Sequence, residues 1–345
     1  MSENSKVFPL LKSGSKTDVD NYRSISLLPV LSKVLEKIMY NRLIKFLDKN
    51  DILYEKQFGF RSKHSTVDAL IEITENIRSG TDVEFTSIML DLRKAFDTIN
   101  HYRVLEKLSQ CGVRGIVNKW FQSYLSNRKQ AVFVNDKWSN FEPINCGVPQ
   151  GSILGPLLFI IYINYFPKCC PNVTTYLFAD DANLIYSKKK SLTSCLDKEL
   201  MNVPSWMSLN KLALNIPKTQ MLQFNHTSNV QFMGVNLAND ESAKYLGIHI
   251  DTKLSFYSHI KHVVKKHSKQ LSVIARLRHY VPRGTLLKYY QTYIEPIITY
   301  GLLVYGCTSR HQLNPIYIIQ KKYSEYFTLS WFFNLVENCS FKMGF

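Results

Sequence analysis

Residues 177–186 read LFADDANLIY and place two adjacent aspartates between two short apolar runs. The flanking runs, TTYLFA and ANLIY, have the length and composition of β-strands. The acidic pair therefore lies where two predicted strands meet. Aspartate is a favoured turn residue, so turn formation alone explains the pair when it is considered in isolation.

A third acid, Asp91, ends the apolar run FTSIMLDL (85–92), which is typical of a buried strand. A carboxylate at the end of a sequence-distant strand is harder to attribute to turn chemistry. Buried like charges are costly without a cation, and Mg²⁺ prefers a few carboxylate oxygens together with substrate phosphates. The three acids predict a divalent-metal site, where two ions would activate a 3′-hydroxyl and stabilise leaving pyrophosphate.

The charge of the chain indicates a polyanionic partner. Lys and Arg number 43 against 27 Asp and Glu, a formal net charge of +16. No acid occurs between Asp251 and Glu295, a span that contains nine basic residues. Nucleic acid or an anionic membrane face would bind such a stretch, although a solvated basic face is an alternative.

Other classes of protein are disfavoured. A hydrophobic fraction of 45% is too high for a disordered chain, and the apolar stretches are too short or too interrupted to predict a transmembrane helix. The amino terminus does not resemble a secretory signal. The seven cysteines contain no CxxC pair, which fits neither a disulfide framework nor a zinc site.

Apolar periodicity predicts an α+β chain with an all-helical end. Helices are expected over about 31–50, 66–79, 101–110, 115–126, 153–163 and 192–210. A hairpin is expected from QAVFVN to Asn145, with strands near 219–224 and 245–250 and three helices after them. In the first of these, one face is apolar, formed by Phe256, Ile260, Val263, Val264, Leu271 and Ile274.

Several ordered segments resemble one known family. LDLRKAFDTINH (90–101), GVPQGSILGPLLFIIYIN (147–164) and FADD (178–181) are similar to motifs A, B and C of reverse transcriptases from non-LTR, LINE-like retrotransposons of the jockey kind. NYRSISLLPVLSKVLEKI and QFGFRSKHSTVDAL resemble its fingers motifs, LNIPKTQ its motif D and KYLGIHID its motif E. LSFYSHI and EPIITYGLLVYG resemble its thumb, so that about residues 8–307 fit.

The resemblance implies a right-hand polymerase fold, with an antiparallel palm sheet and a helical thumb. Residues 1–20 would form a flexible lead-in, 21–80 the fingers, and 81–252 the palm, with an inserted fingers portion near 112–145. Residues 253–325 would form the thumb and 326–345 a divergent tail.

The resemblance also assigns roles to residues of the expected active site. Asp91 and Asp180 would be the principal ligands of two Mg²⁺ ions, or of Mn²⁺, with Asp181 beside them and the Leu92 carbonyl as a lesser ligand. Lys218 matches a motif D lysine thought to protonate departing pyrophosphate. As an isolated residue, Lys218 would equally be a solvated turn lysine.

Further positions match sites around the incoming nucleotide. Phe96 matches a bulky gate that would clash with a ribose 2′-hydroxyl, although alone it would be an ordinary core aromatic. Gln150 and Gly151 match a turn beneath the nucleotide and template base, and their ordinary explanation is a turn before a helix. Arg61, and more weakly Arg23, match positions that hold the triphosphate.

The expected partners are an RNA template, a DNA primer or target DNA, and dNTPs, with no membrane. The thumb would contact the template–primer backbone through exposed lysines of its first helix, Lys261, Lys265, Lys266 and Lys269. Protein partners do not follow from the sequence. Such a protein would work in the cytoplasm and nucleus and would not be secreted.

Two positions depart from the family pattern: Ser24 stands where proline is usual, and Tyr165 where aspartate is usual. We expect no endonuclease before the fingers, and we expect the resemblance to fade after about Cys307, as in a truncated copy. Three hypotheses follow: an RNA-directed DNA polymerase, an inactive nucleic-acid-binding remnant, and an RNA-directed RNA polymerase. The last is disfavoured by Phe96 and by Ala179, where such enzymes usually have glycine.

Overall fold

The computed structural model describes residues 4–12, 14–80, 83–189 and 196–327 of the chain. Within these ranges the strands are β1 (Asn4–Leu11), β2 (Tyr22–Leu27), β3 (Val83–Leu90), β4 (Lys129–Val134), β5 (Lys137–Trp138), β6 (Glu142–Pro143), β7 (Thr174–Phe178), β8 (Asp181–Lys189), β9 (Gln220–Phe224), β10 (Gln231–Phe232), β11 (Val235–Asn236), β12 (Ser242–Tyr245) and β13 (Ile248–Asp251).

The α-helices in the same ranges are α1 (Val30–Lys49), α2 (Thr66–Ser79), α3 (His101–Gln110), α4 (Gly115–Leu125), α5 (Leu154–Ile163), α6 (Leu196–Leu200), α7 (Asn202–Leu209), α8 (Tyr257–Leu277), α9 (Arg283–Tyr289), α10 (Glu295–Thr299), α11 (Leu302–Tyr305) and α12 (Arg310–Phe327). A π-helical turn, Tyr290–Ile294, joins α9 to α10.

A four-stranded antiparallel sheet, in the order β7-β8-β3-β9, forms the centre of the molecule. Its central strand β3 is buried on both faces, because Ile88 and Leu90 belong to one hydrophobic core and Phe85 and Met89 to another. This double burial explains the nearly continuous apolar run in the sequence. The antiparallel sheet expected for the palm is therefore present.

Helix α5 crosses the first of these cores. Nine of its residues are buried, so it has no solvent-facing side, which is the arrangement expected of a helix that is apolar all round. Helix α2 lies on the other side of the sheet and begins at a capping box. The Ser65 hydroxyl accepts a hydrogen bond from the Asp68 N–H, and the Asp68 carboxylate accepts one from the Ser65 N–H, so both unpaired donors at the start of the helix are satisfied.

A second sheet has the order β2-β1-β4-β5, with β6 paired to β4. Strand β1 is antiparallel to β2 and parallel to β4, where Asn4 pairs with Lys129. The prediction of a flexible lead-in over residues 1–20 is therefore wrong for β1. The strand is formed by pairing with a segment more than a hundred residues away, which local patterning does not reveal.

The chain after β9 also differs from the predicted elements. The single strand expected near 245–250 is a hairpin, in which β12 and β13 are joined through Leu246 and Gly247, both with positive φ. The helix expected over 192–210 is divided into α6 and α7 at Met201, and residues 190–195 lie outside the described residues. Five α-helices and a π-turn replace the three helices expected after Asp251. Most of the predicted tail, residues 328–345, also lies outside the described residues.

Candidate active site

Asp91 is the first residue after β3, and its backbone is held in place by the segment after α7. The Asp91 carbonyl accepts a hydrogen bond from the Asn215 N–H at 2.8 Å, and the Arg93 N–H donates to the Ala213 carbonyl at 2.8 Å. Neither bond uses the Leu92 carbonyl, which the sequence predicts as a lesser metal ligand. Hydrogen bonds to residues 213–215 therefore hold the backbone on both sides of Leu92, which fixes the position of Asp91.

Asp180 and Asp181 lie in the tight turn between β7 and β8. Phe178 pairs with Asp181, so Ala179 and Asp180 form a two-residue turn, and Ala179 has a left-handed φ of 56°. The turn is thus at the same edge of the sheet as the end of β3, because Leu90 pairs with Ala182. The structure brings together the three acids that the sequence singles out.

Burial and neighbouring charges raise the pKa values of two of these acids. Burial raises the pKa of Asp180, the negative charge of Asp91 adds to the increase, and the positive charges of Arg23 and Lys12 oppose it. The pKa of Asp181 is raised to about 6, first by desolvation and then by the charges of Asp180 and Asp91, although part of its side chain remains exposed. Neighbouring negative charges of this kind form a site that a cation would stabilise.

These acids suit a metal ion by their donor atoms, although they do not already form a complete coordination site. Across residues 4–12, 14–80, 83–189 and 196–327, no group of three His, Cys, Asp or Glu side chains is arranged to hold a metal ion as it stands. The donors available at the sheet edge are hard carboxylate oxygens, which suit Mg²⁺. Mg²⁺ commonly takes only one or two protein carboxylates and completes its coordination with substrate phosphates and water, so the acids fit such an ion.

Phe96 packs between two other aromatic rings. Its ring centroid lies 4.8 Å from that of Phe159 in α5 and 6.3 Å from that of Phe60, which meets it edge-on. Phe96 is half-buried and packs against the first core, while its carbonyl accepts a hydrogen bond from the Val148 N–H. The side chain is therefore held rigidly, as a steric gate would require, and it also contributes to the core.

The turn Gln150–Gly151 rests against the second sheet. The Gln150 carbonyl accepts a hydrogen bond from the Ser26 N–H at 2.8 Å, and Gly151 has a φ of 122°. A Cβ on Gly151 would lie 2.6 Å from the Ser26 carbonyl oxygen, so glycine is needed for both conformation and space. The Gln150 amide donates to Asp97 at 3.0 Å, which fixes the orientation of the side chain.

Two buried or half-buried acids support this turn, and sequence reasoning missed both. Asp97 accepts the Gln150 hydrogen bond, and burial raises its pKa. Glu36, 1% exposed on α1, accepts from the Ile153 N–H at 2.5 Å and from the Tyr124 hydroxyl at 2.8 Å. The Glu36 carboxylate therefore lies at the amino end of α5, where the helix dipole favours negative charge. Glu36 lies within the apolar periodicity of α1, which gave no sign of this role.

Arg61 and Lys218 differ in their surroundings. The Arg61 guanidinium donates to the Tyr54 carbonyl at 3.0 Å and to the Glu55 carbonyl at 3.4 Å, so it orders its own loop. Lys218 is exposed at the end of a short 3₁₀ turn that starts just after Asn215, the residue bound to Asp91. The role of Arg61 at the triphosphate and that of Lys218 as a proton donor to departing pyrophosphate remain predictions.

Comparison with known proteins gives the family. Residues 12–250 match the family model described as reverse transcriptase (RNA-dependent DNA polymerase). The chain belongs to the reverse transcriptase family. The prediction made from motifs A, B and C is thus confirmed.

Among its relatives, this reverse transcriptase chain is 30% identical to the RNA-directed DNA polymerase from mobile element jockey of Drosophila melanogaster, over 93% of the chain and 37% of the relative. It is also 30% identical to the probable RNA-directed DNA polymerase from transposon BS of the same organism, over 88% of the chain and 36% of the relative. The chain therefore spans little more than a third of the length of these relatives.

The first alignment corrects one expectation. An alignment that covers 93% of a chain of 345 residues continues past residue 307 wherever it begins. The expectation that the resemblance ends near Cys307 is therefore wrong.

Solved structures confirm the fold. Apo telomerase from Candida tropicalis superposes with a TM-score of 0.52 at 12% identity, covering 94% of this chain and 63% of that one. Telomerase from Candida albicans in complex with a TWJ fragment of telomeric RNA superposes with a TM-score of 0.50 at 12% identity, covering 98% and 64%. At this identity the likeness shows the right-hand polymerase fold alone.

Helix α8 of the reverse transcriptase chain has the two faces that the sequence predicts. Phe256, just before its first residue, and Ile260, Val263 and Ile274 within it are buried. The lysines lie on the other sides of the helix, at positions Lys261, Lys265, Lys266 and Lys269. The buried face also contains His259 and His267, which the sequence did not assign to the core. Among the described residues, no helix has the length and apolar character needed to cross a bilayer.

Lys12 is a further residue that sequence reasoning missed. It follows β1, and its N–H donates to the Asn21 carbonyl, so the ends of the β1–β2 hairpin lie side by side. Its positive charge opposes the rise in the pKa values of both Asp180 and Asp181, whereas the charge of Arg23 opposes the rise at Asp180. Two basic residues beside the loop of one hairpin would have indicated an anion-binding position. That indication requires residues 4–11 to be recognised as a strand.

Proposed function

We propose that the chain is an RNA-directed DNA polymerase that adds deoxynucleotides to a primer 3′-hydroxyl. The observation that carries the proposal is the convergence of Asp91, Asp180 and Asp181 at one sheet edge, where burial, and then the charges of neighbouring acids, raise the pKa values of Asp180 and Asp181. A cluster of like charges at a functional edge costs stability and is explained by a bound cation.

In this proposal Asp91 and Asp180 would hold two divalent cations, Mg²⁺ or alternatively Mn²⁺, with help from Asp181 and the Leu92 carbonyl. When bound, the ions would lower the pKa of the primer 3′-hydroxyl and neutralise charge on the pyrophosphate. The chain supplies the fixed positions of the carboxylates, through the Asn215 contact on Asp91 and the tight turn that carries Asp180. Rigid placement of reacting groups is a major part of such catalysis.

The other predicted residues would select and hold the nucleotide. Phe96, fixed between Phe60 and Phe159, would exclude a 2′-hydroxyl and so favour dNTPs. Gln150 and Gly151 would form the surface beneath the base pair, and the triphosphate would be bound by basic residues, Arg23, Arg61 and Lys12. Lys218, exposed after the segment tied to Asp91, would donate a proton to departing pyrophosphate.

An RNA template paired to a DNA primer would lie against helix α8. The lysines of its solvent-facing sides, Lys261, Lys265, Lys266 and Lys269, would contact phosphates without reading sequence. The buried face of α8 fixes these lysines on a rigid surface. The proposed divisions are fingers 21–80 together with β1 and the inserted portion 112–145, palm 81–252 and thumb 253–325.

A second candidate is an inactive remnant that binds nucleic acid. It is favoured by one observation, that no three acidic, histidine or cysteine side chains of the described residues form a metal cage as they stand. The basic face of α8 would serve both functions equally. An RNA-directed RNA polymerase is disfavoured by the bulky side chain of Phe96.

Primer extension on an RNA template separates these functions. The reaction is run with dNTPs or with NTPs, in Mg²⁺ or in EDTA, and template–primer binding is measured in parallel. Extension with dNTPs that requires Mg²⁺ supports the proposal. Binding without extension would support the inactive remnant, and extension with NTPs alone would support an RNA polymerase.

A further inference from the structure

Gln57 lies against the turn that carries Asp180 and Asp181. It is 1% exposed, and its side-chain oxygen accepts hydrogen bonds from the Ala179 N–H at 3.2 Å and the Gly59 N–H at 2.9 Å. Ala179 is the first residue of the two-residue turn. A side chain from outside the sheet therefore binds the backbone of the turn itself.

The backbone around Gln57 reinforces this contact. The Leu177 N–H donates to the Lys56 carbonyl at 2.9 Å, and the Phe58 N–H donates to the Leu177 carbonyl at 2.8 Å. Gln57 and Leu177 thus form a parallel bridge at the end of β7. Residues 56–59 act as a short extra strand that lies along the last residues before the acidic turn.

The fit between this segment and the turn is close. A Cβ on Gly59 would lie 2.4 Å from the Ala179 nitrogen and 3.0 Å from the Phe178 carbonyl carbon. The φ of Gly59 lies outside the left-handed range, so glycine is required here by space alone. Any larger residue at position 59 would push against the backbone of the turn.

The turn needs such support for two reasons. Ala179 adopts a left-handed φ of 56°, which is unfavourable for a residue with a Cβ. The two residues that follow are acids whose charges repel each other and Asp91. A neutral acceptor such as an amide oxygen can hold the turn without adding negative charge.

We infer that Gln57 is a positioning residue. Through its hydrogen bond with the Ala179 N–H, it holds the turn that carries Asp180 and Asp181 in the conformation that would bind metal. The inference rests on the proposed polymerase function. Gln57 does not touch substrate in this account, and it acts through the backbone of Ala179. Loss of its oxygen releases the turn, so that the carboxylates occupy the reactive geometry for a smaller fraction of the time.

Two substitutions separate the hydrogen bond from the packing. Gln57→Met keeps the length and shape of the side chain and removes the acceptor. Gln57→Glu keeps an acceptor at the same reach, because a carboxyl oxygen accepts a hydrogen bond from an N–H in either protonation state. Replacing the amide nitrogen by oxygen loses no hydrogen bond, since the Gln57 Nε2 has no partner within the described residues.

Gln223 offers a matched control. It is 2% exposed in β9 of the same sheet, and its side chain binds the backbone of Ser228, away from the acidic turn. Gln223→Met therefore makes the same chemical change at an equally buried glutamine. A general loss of sheet stability would affect both variants, whereas release of the turn would affect only the variant at position 57.

Hydrogen exchange of the full, metal-free chain tests the inference without any requirement for activity. In Gln57→Met the amides of residues 177–182 should exchange about tenfold faster than in wild type, whereas Gln57→Glu and Gln223→Met should match it. Unchanged exchange in Gln57→Met would overturn the inference. If that variant does not fold, Gly59→Ala takes its place, with Gly284→Ala as control because nothing lies within 4 Å of a Cβ there.

Primer extension then tests the functional part. Gln57→Met should lower kcat about tenfold and change template–primer affinity less than about twofold, and Gln57→Glu should recover most of the rate. Equal kcat values for Gln57→Met and wild type would show that Gln57 does not position the acidic turn for catalysis. An inactive wild type would instead count against the proposed function, and faster exchange would still support the role of Gln57 at the turn.

Discussion

Asp91 and Asp181 lie opposite each other at the end of the β3–β8 pair, one residue beyond the last paired residues, Leu90 and Ala182. Like charges directly opposite in an antiparallel pair destabilise a sheet. The arrangement therefore costs stability in the absence of a cation. We regard this relationship as the structural basis for the metal-dependent chemistry that we propose.

Replacing Asp180 by asparagine should abolish primer extension and leave template–primer binding nearly unchanged. The substitution keeps the shape of the side chain and removes a charged ligand, while the lysines of α8 are untouched. The measurement is extension rate alongside binding affinity. Asp136→Asn, at an exposed turn between β4 and β5, is the matched control. Simultaneous loss of extension and binding in Asp180→Asn would indicate a structural acid instead.

Replacing Phe96 by alanine should raise the incorporation of ribonucleotides relative to deoxynucleotides by about tenfold. Because Phe96 also packs against Phe159, the variant should lose about 2 kcal/mol of stability. The ratio of the two incorporation rates is the appropriate measurement, since it does not depend on the folded fraction. Phe133→Ala, at a half-buried ring of the other sheet, should leave the ratio unaltered. An unchanged ratio in Phe96→Ala would refute the gate.

Changing the lysines of α8 to glutamine should weaken binding most at low salt. The slope of log affinity against log salt should fall by up to about 0.9 for each duplex phosphate that a lysine no longer neutralises. The quadruple variant carries changes at Lys261, Lys265, Lys266 and Lys269. The same number of changes on α1, at Lys33, Lys37, Lys45 and Lys49, controls for net charge. An equal slope in both variants would place the nucleic acid elsewhere.

The helical end of the chain should lose stability in mild acid. Burial lowers the pKa of His267 to about 4, against an ordinary value of 6.5. The unfolded chain then binds a proton between these values that the folded chain does not, so stability falls as the pH decreases from about 6.5 to 4, by up to about 3 kcal/mol. Chemical denaturation at several pH values measures this loss.

His267→Leu should remove the His267 share of that dependence without loss of stability at pH 7, whereas His259, whose pKa burial also lowers to about 4, should keep its own share. The ring of His267 packs edge-on against Tyr323, and neither ring nitrogen has a hydrogen-bond partner within the described residues. Burial of an apolar side chain there leaves no polar atom unpaired. His311→Leu, at an exposed position of α12, is the control. A variant at position 267 that keeps the full acid sensitivity would show that other groups cause it.

The parts of the fold that depend on short stretches of chain could be predicted from the sequence. The α8 face, the Ser65 cap of α2 and the apolar run of β3 follow from periodicity, capping chemistry and burial. The three acids could be identified because each stands at the end of a predicted strand. Such signals need no knowledge of distant contacts.

The features that were missed depend on distant or special contacts. Strand β1 is formed by pairing with β4, which also concealed the position of Lys12 beside the acids. The β12–β13 hairpin turns at Leu246 and Gly247, inside a run that otherwise reads as one strand. Gln57 acts through a single buried amide oxygen, which no periodicity reveals.

The most direct test is the anomalous scattering of Mn²⁺ in crystals of the chain bound to an RNA template, a DNA primer and a non-hydrolysable dNTP. Our account predicts two peaks, both between the carboxylates of Asp91 and Asp180 and the phosphates of the nucleotide. Peaks elsewhere, or Asp91 oxygens too far from Asp180 to share an ion, would contradict it.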